Sequence, residues 1–319
     1  VSRTDVPTTI LPAARVPRVL AGIDIGGTNT KVLVASEDLV VLDRLDVSTP
    51  AHEGGAAIVA TAVAAVRELL RRTGPVELVG VGVGAAGVVD PRTGHVLVTA
   101  DSFTGWAGFG VTAAVEAEFG VPATLDNDVN AFLRGEVSAG AVAGESDVLG
   151  MTLGTGVGGA LLLGGALFDG PRGAAGEIGH VPGFGDARCT CGGTGHLETL
   201  AAANGIVARY AERTGTTMHA HEVAAAAAAG DAVAVGVFRA AGLGLARAIL
   251  LTAGILDVTT VVIGGGVTRS WDLLEPAIRA GLEAEPPVSG ASIRLERALL
   301  GSDAVALGAA SRVRALLLG

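Results

Sequence analysis

Lysine is almost absent. Of 22 basic side chains in 319 residues, Lys31 is the single lysine and the others are arginines. That excludes a GxxxxGK[ST] phosphate loop and leaves almost no room for Schiff-base chemistry. Charge is sparse at 17% and its balance is acidic at −10. This argues against a nucleic-acid partner, because phosphate backbones are met by clustered Lys and Arg. The acidity reads most plainly as solubility. No secretory leader is visible: residues 1–17 hold three prolines and no continuous apolar core, so residues 1–18 read as a flexible tail and the protein as cytoplasmic. Half the residues are hydrophobic, which predicts a globular chain, and the length suits about two domains of roughly 150 residues. The uncharged run Val148–Phe168 is long enough to cross a bilayer, but its seven glycines break any helix there. It reads as strand, turn and strand, with no membrane partner.

Cysteine is scarce too, and both residues stand in Gly176–Glu198, GEIGHVPGFGDARCTCGGTGHLE, beside two of the six histidines. Cys189, Cys191, His180 and His196 offer two thiolates and two imidazoles, a closed tetrahedral set for zinc. Four protein ligands leave no position for water or substrate, so the ion would be structural. The plainer alternative is two inert thiols beside ordinary loop histidines. Glu177 and Glu198 flank the stretch and suit the gripping of a polyhydroxylated ligand.

Glycine is plentiful, and some of it marks a repeat. Val19–Val34, VLAGIDIGGTNTKVLV, reads as a hairpin, and Val148–Leu163 repeats it 128 residues on, with Asp24 over Thr152, Gly26 over Gly154 and Thr30 over Gly158. Gly-rich turns present backbone N–H groups to anions. Gly26, Gly27 and Thr28 in one turn and Gly154, Thr155 and Gly156 in the other can hold a polyphosphate between them, although either turn alone is commonly just a hairpin. Mg²⁺ on such a ligand would sit near Asp24, through water.

Between the hairpins the spacing predicts a helix over Gly54–Thr73, a buried strand over Val76–Val83 and a helix over Val111–Phe119. A short strand from Ala123 then delivers Asp126, Asn127, Asp128 and Asn130, which cannot all be buried. They cap the helix Val129–Ala139, line a ligand site, or do both. Leu200–Gly254 is mostly helical, with a break at Thr214–Thr217. Val258–Ile263 is a strand that ends at Gly264, Gly265 and Gly266 before a helix over Trp271–Leu282, a pattern found beside nucleotides. Ser302 is expected to cap a last helix, Asp303–Leu318.

The run GEIGH followed by C-x-C-G-x-x-G-H-x-E resembles the signature of the ROK family of sugar kinases, repressors and open reading frames, with His196 where that family usually has a third cysteine. The paired hairpins resemble the actin-like ATPase and hexokinase architecture. The resemblance implies an α/β fold of two ribonuclease H-like domains with an interdomain active-site cleft: residues 19–126 plus 303–319 form the smaller domain, and 127–302 the larger one with the zinc loop. It implies ATP with Mg²⁺ and a hexose, most simply glucose, with N-acetylglucosamine, N-acetylmannosamine, mannose or fructose as alternatives. Matched to the family's E-N-D-x-N motif, Asp128 is the general base and Asn127 a sugar ligand. Glu177, His180 and Glu198 hold further hydroxyls, and Gly264–Gly266 adjoin the adenosine. Ala86 replaces the proline of the family's sugar-side loop at Gly87, and Ser102, beside Asp101, replaces its sugar-binding asparagine. Trp106 keeps the pattern, or is simply a core aromatic. A homodimer, alternatively a homotetramer, is implied by the family alone. A ROK repressor would carry a DNA-binding module ahead of the first hairpin, and the 22 residues before Ile23 leave no room for one.

Overall fold

Each of the two hairpins sits inside a five-stranded sheet, and the two sheets share one order. The computed structural model describes residues 16–99 and 102–319. The expected tail therefore lies almost wholly outside the described residues, as does Asp101, and Arg18 already belongs to a strand.

The first half runs β1 (Arg18–Ile25), β2 (Asn29–Ser36), β3 (Val41–Ser48), α1 (Gly55–Thr73), β4 (Glu77–Ala85), β5 (Val88–Asp90), β6 (His95–Val98), α2 (Val111–Phe119) and β7 (Ala123–Asn127). Its sheet has the order β3-β2-β1-β4-β7, antiparallel across β1, β2 and β3 and parallel across β1, β4 and β7. Position explains composition. The central strand β1 is buried along almost its whole length, whereas the edge strand β3 alternates strictly between half-buried and exposed. Ile58, Val59, Ala62, Val63, Val66 and Leu69 give α1 an apolar stripe at helical spacing that covers one face of this sheet.

The second half runs α3 (Asp128–Ala139), β8 (Val148–Leu153), β9 (Val157–Leu163), β10 (Ala166–Leu167), α4 (Glu198–Ala201), α5 (Ala203–Thr214), α6 (Ala220–Ala228), α7 (Ala232–Leu256), β11 (Thr260–Gly264), α8 (Trp271–Ala284), β12 (Arg294–Arg297) and α9 (Ala304–Leu318). The sheet order β10-β9-β8-β11-β12 repeats the first, three strands antiparallel and then two parallel. The uncharged run is thus β8, a turn and β9, as expected. By length and composition α7 is the one helix among the described residues that suits a membrane span, yet Val237, Phe238, Ala241, Leu245 and Ile249 put it in the core of this half.

Two helices lie between the sheets. On one side α9 packs on β1 and β4, where Gly22 and Gly82 lie directly against the backbone of Ala306 and Ala309. On the other side α3 packs on β8 and β9, and the two helices cross where Gly135 meets Ala304 and Gly308 meets Ala131. A Cβ on any of these glycines would separate the layers, so they are packing residues. The expectation for Ser302 is corrected. It lies in a 3-10 turn over Gly301–Asp303, which closes by Asp303 N–H on Leu300 O at 3.1 Å, and α9 starts after Asp303 with no side-chain cap.

Candidate active site

The strand β7 ends where α3 begins, and that junction organises the site. Asn127 is the N-cap of α3: its Oδ1 accepts from the amides of Val129 (2.9 Å) and Asn130 (3.2 Å), satisfying donors that the helix leaves open. Its Nδ2 donates to the carbonyl of Gly87 at 2.7 Å, tying the loop after β4 to the helix start. Capping and site placement thus coincide. Asp128 is the first residue of α3 and half-buried. Burial pushes its pKa up to about 6, the amide of Val129 and Asn127 pull it down, and the Glu177 carboxylate adds to the rise.

Asp24, at the end of β1, is lifted to about 7, chiefly by burial and then by Asp128, with Lys31 opposite on β2 opposing the rise. The fold therefore brings Asp24, Asp128 and Glu177, from three separated stretches, within electrostatic reach, Asp128 acting on Asp24 and Glu177 on Asp128, and two of the three have carboxyl groups tuned towards neutrality. Such tuning is typical of acid–base sites. Asp126 turns the other way: it is 1% exposed and pairs with Arg134 at 3.2 Å and Arg312 at 2.9 Å.

The four metal-ligand candidates converge. His180 Nδ1 is 3.7 Å from Cys189 Sγ, Cys191 Sγ is 3.3 Å from His196 Nδ1, and all four ligand atoms lie within 4.8 Å of one another. A tetrahedral zinc, at about 2.3 Å from sulfur and about 2.0 Å from nitrogen, separates its ligand atoms by roughly 3.3–3.8 Å, so the set fits that ion. Since His180 turns Nδ1 to the cluster, its Nε2 points elsewhere.

Glu198 joins this knot to the second hairpin. One carboxylate oxygen accepts from the Val157 amide at 3.1 Å, and the other lies 3.2 Å from Thr190 Oγ1 and 3.6 Å from Cys189 Sγ. Sequence reasoning assigned Glu198 to sugar alone and missed this bracing. The flanking glutamate was visible, but not its reach to Val157, 41 residues away.

At the turns, two expected amide donors are already engaged: Gly26 N–H closes on Asn29 O (3.1 Å) and Gly154 N–H on Gly156 O (2.9 Å). The second turn gains a neighbour that sequence reasoning did not anticipate. Ala203 N–H, at the start of α5, donates to Gly154 O at 2.9 Å, which aims a helix N-terminus at the turn. Gly264 pairs in register with Thr152, and Gly265 backs onto Leu153, so the glycine triplet adjoins the second turn, with a 3-10 turn over Gly266–Ser270 before α8. Ser102 stands beside the first turn, its Oγ 3.9 Å from where a Gly27 side chain would begin. The core reading of Trp106 holds: it is fully buried, stacked between Phe103 and Phe109 at 6.1 and 5.8 Å.

Known proteins share this fold. The sequence model of the ROK family matches residues 20–315. A glucokinase of Halalkalibacterium halodurans is 36% identical over 314 residues, covering 91% of this chain and 93% of its own. The ROK hexokinase of Thermus thermophilus superposes with a TM-score of 0.81 at 31% identity, over 94% of this chain and 100% of that one. A ROK glucokinase of Streptomyces griseus, solved with glucose and AMPPNP, superposes with a TM-score of 0.78 at 30% identity, over 92% and 98%.

Proposed function

Taking as premise that the chain belongs to the ROK family and is an ATP-dependent sugar kinase of it, we propose that it transfers the γ-phosphoryl group of ATP to the primary hydroxyl of a hexose, glucose in the first instance. The observation that carries this reading is that Asp128 lies within electrostatic reach of both Asp24 and Glu177, with the first Gly-rich turn following Asp24 and Gly158 of the second hairpin packed against Val129.

Phosphoryl transfer needs shielded phosphates, a positioned acceptor and a base for its proton. Asp128 takes that proton on its carboxylate. Asn127, Glu177 and Nε2 of His180 hold the remaining hydroxyls, where a polar group left without a partner costs roughly 1–3 kcal/mol and so rejects the wrong epimer. The amides of Gly27, Thr28, Thr155 and Gly156 meet the phosphates, and Gly264–Gly266 border the nucleoside. Asp24 would hold Mg²⁺ through water, and the ion would neutralise phosphate charge. His180, Cys189, Cys191 and His196 would hold a structural zinc and so fix the His180 ring, and the kinase works as a cytoplasmic homodimer.

Asp128→Asn tests the reading. It is expected to lower kcat by ~10²–10⁴ while glucose still binds by calorimetry. Turnover near wild type removes Asp128 as the base. Because the base acts as the carboxylate, kcat/KM is expected to rise with pH through about 6 in the wild type. A panel of hexoses, with ATP as donor, ranks the substrates.

A further inference from the structure

Behind the base lies a second cluster of charge that the reaction does not use. Residues 168–175 form a strap from β10 to Gly176 and Glu177. Its backbone is internally braced, with Ala175 N–H on Asp169 O (3.0 Å) and Gly173 N–H on Gly170 O (3.3 Å). Asp169 reaches across to α3: its Oδ1 accepts from Asn130 Nδ2 at 2.8 Å. Farther along, Gly173 abuts the carbonyl of Val89 on β5. A cavity of about 10 Å³, the size of one water, brings Val89, Asp126, Asn127, Asn130, Asp169 and Gly173 around one point.

Arg134 of α3 and Arg312 of α9 both pair with Asp126. Burial and then the Asp126 carboxylate push the pKa of Asp169 up, and the same two arginines oppose the rise without cancelling it. The strap is thus held to α3 by the hydrogen bond from the neutral Asn130 amide. Asn130 sits two residues after Asp128, and its amide is already gripped by Asn127. Fixing its side chain from the far side therefore fixes the rotation of the first helical turn.

We propose that Asp169 is a positioning residue for Asp128: through Asn130 it holds the first turn of α3 at a set distance from the loop that carries Glu177 and His180. The inference rests on Asp128 being the base. It makes the strap the link that keeps the proton acceptor in register with the sugar ligands, although Asp169 touches neither substrate.

The test compares Asp169→Ala, Asp169→Asn and Asn130→Ala in the full chain, with Asp128→Asn alongside. Asp169→Ala is expected to lower kcat at least ~10-fold, as small misplacements of catalytic groups do, with the KM for ATP within twofold of wild type. Asp169→Asn still accepts from Asn130 and recovers at least half of wild-type kcat. The double variant Asp169→Ala/Asn130→Ala is no slower than Asp169→Ala alone, because both remove one contact. A kcat within twofold of wild type for Asp169→Ala, equal damage from Asp169→Asn, or additive losses in the double variant each overturn the proposal. Should Asp169→Ala fail to fold, Asn130→Ala carries the same expectation for kcat. If Asp128→Asn retains turnover, the base assignment itself has failed. If it is inactive while Asp169→Ala is normal, only the positioning role has.

Discussion

The two hairpins share strand order, yet their turns differ by one residue, so the pairing is offset, and they differ in how they handle charge. Across the first, Asp24 faces Lys31, which in turn faces Asp46 on β3, so ionisable groups stand on the strands beside the turn. Across the second, Thr152 faces Gly158 and Leu153 faces Val157, and a carboxylate at the turn end is lent by Glu198 from the Cys/His loop. The two halves carry similar Gly-rich turns. Divergence left one with its own acid and made the other depend on a separate loop.

Giving the first hairpin the second one's residue is the strongest way to break that comparison. Asp24→Thr is expected to lower kcat by ~10²–10³, the scale for loss of one electrostatic stabiliser, while sugar affinity stays within a few fold. The same change should stabilise the protein. The folded-state pKa of Asp24, about 7, lies above its unfolded value of 3.8, so the folded state binds more protons across that window. Wild-type stability therefore falls as pH rises from 3.8 towards 7. The melting temperature of Asp24→Thr minus that of the wild type should be near zero at pH 4 and rise to a few degrees above pH 7. A difference that does not grow with pH shows that the carboxyl is not held out of water.

Loss of the knot should strike the other hairpin. Cys191→Ser removes a ligand, and elemental analysis is expected to show metal lost from the purified protein. The KM for sugar should rise ~10-fold as His180 loses its anchor. Because Glu198 bridges Cys189 and the Val157 amide, the KM for ATP should rise as well, by less. A rise for sugar alone means that the second hairpin stands without the knot, and unchanged metal content refutes the ligand set.

Much of this was legible in the sequence, for physical reasons. Glycine turns between β-branched runs, the apolar stripe of α1 and the Cys/His spacing are local patterns, and local patterns survive as one-dimensional signals. Asp128 was legible because a strand end crowded with four polar side chains must turn some of them towards water or a ligand. What escaped notice was long-range. Asp126 resembles its neighbours Asn127 and Asp128 in sequence, but only the approach of Arg312 on α9 shows that it faces away from the site. The bond from Asn130 to Asp169 and that from Val157 to Glu198 span 39 and 41 residues, and no periodicity encodes them. Ser302 failed as a cap because the turn before α9 closes on its own backbone.

The finest contrast lies in a single methyl group. At Gly156 a Cβ would overlap the Glu198 carboxylate, so Gly156→Ala must displace Glu198 from the Val157 amide. Losing one such bond, at roughly 1 kcal/mol, is expected to lower kcat/KM for ATP about fivefold. At Gly27 the nearest atom is the Phe103 ring at 3.7 Å, an ordinary contact, and Gly27→Ala keeps the backbone N–H. Its effect should stay within about twofold, the range of a substitution that disturbs no packing. Steady-state kinetics of the two variants at saturating glucose separate these outcomes. If both lose activity alike, the turns are equally crowded when nucleotide is bound, and the dependence on Glu198 is not what distinguishes them.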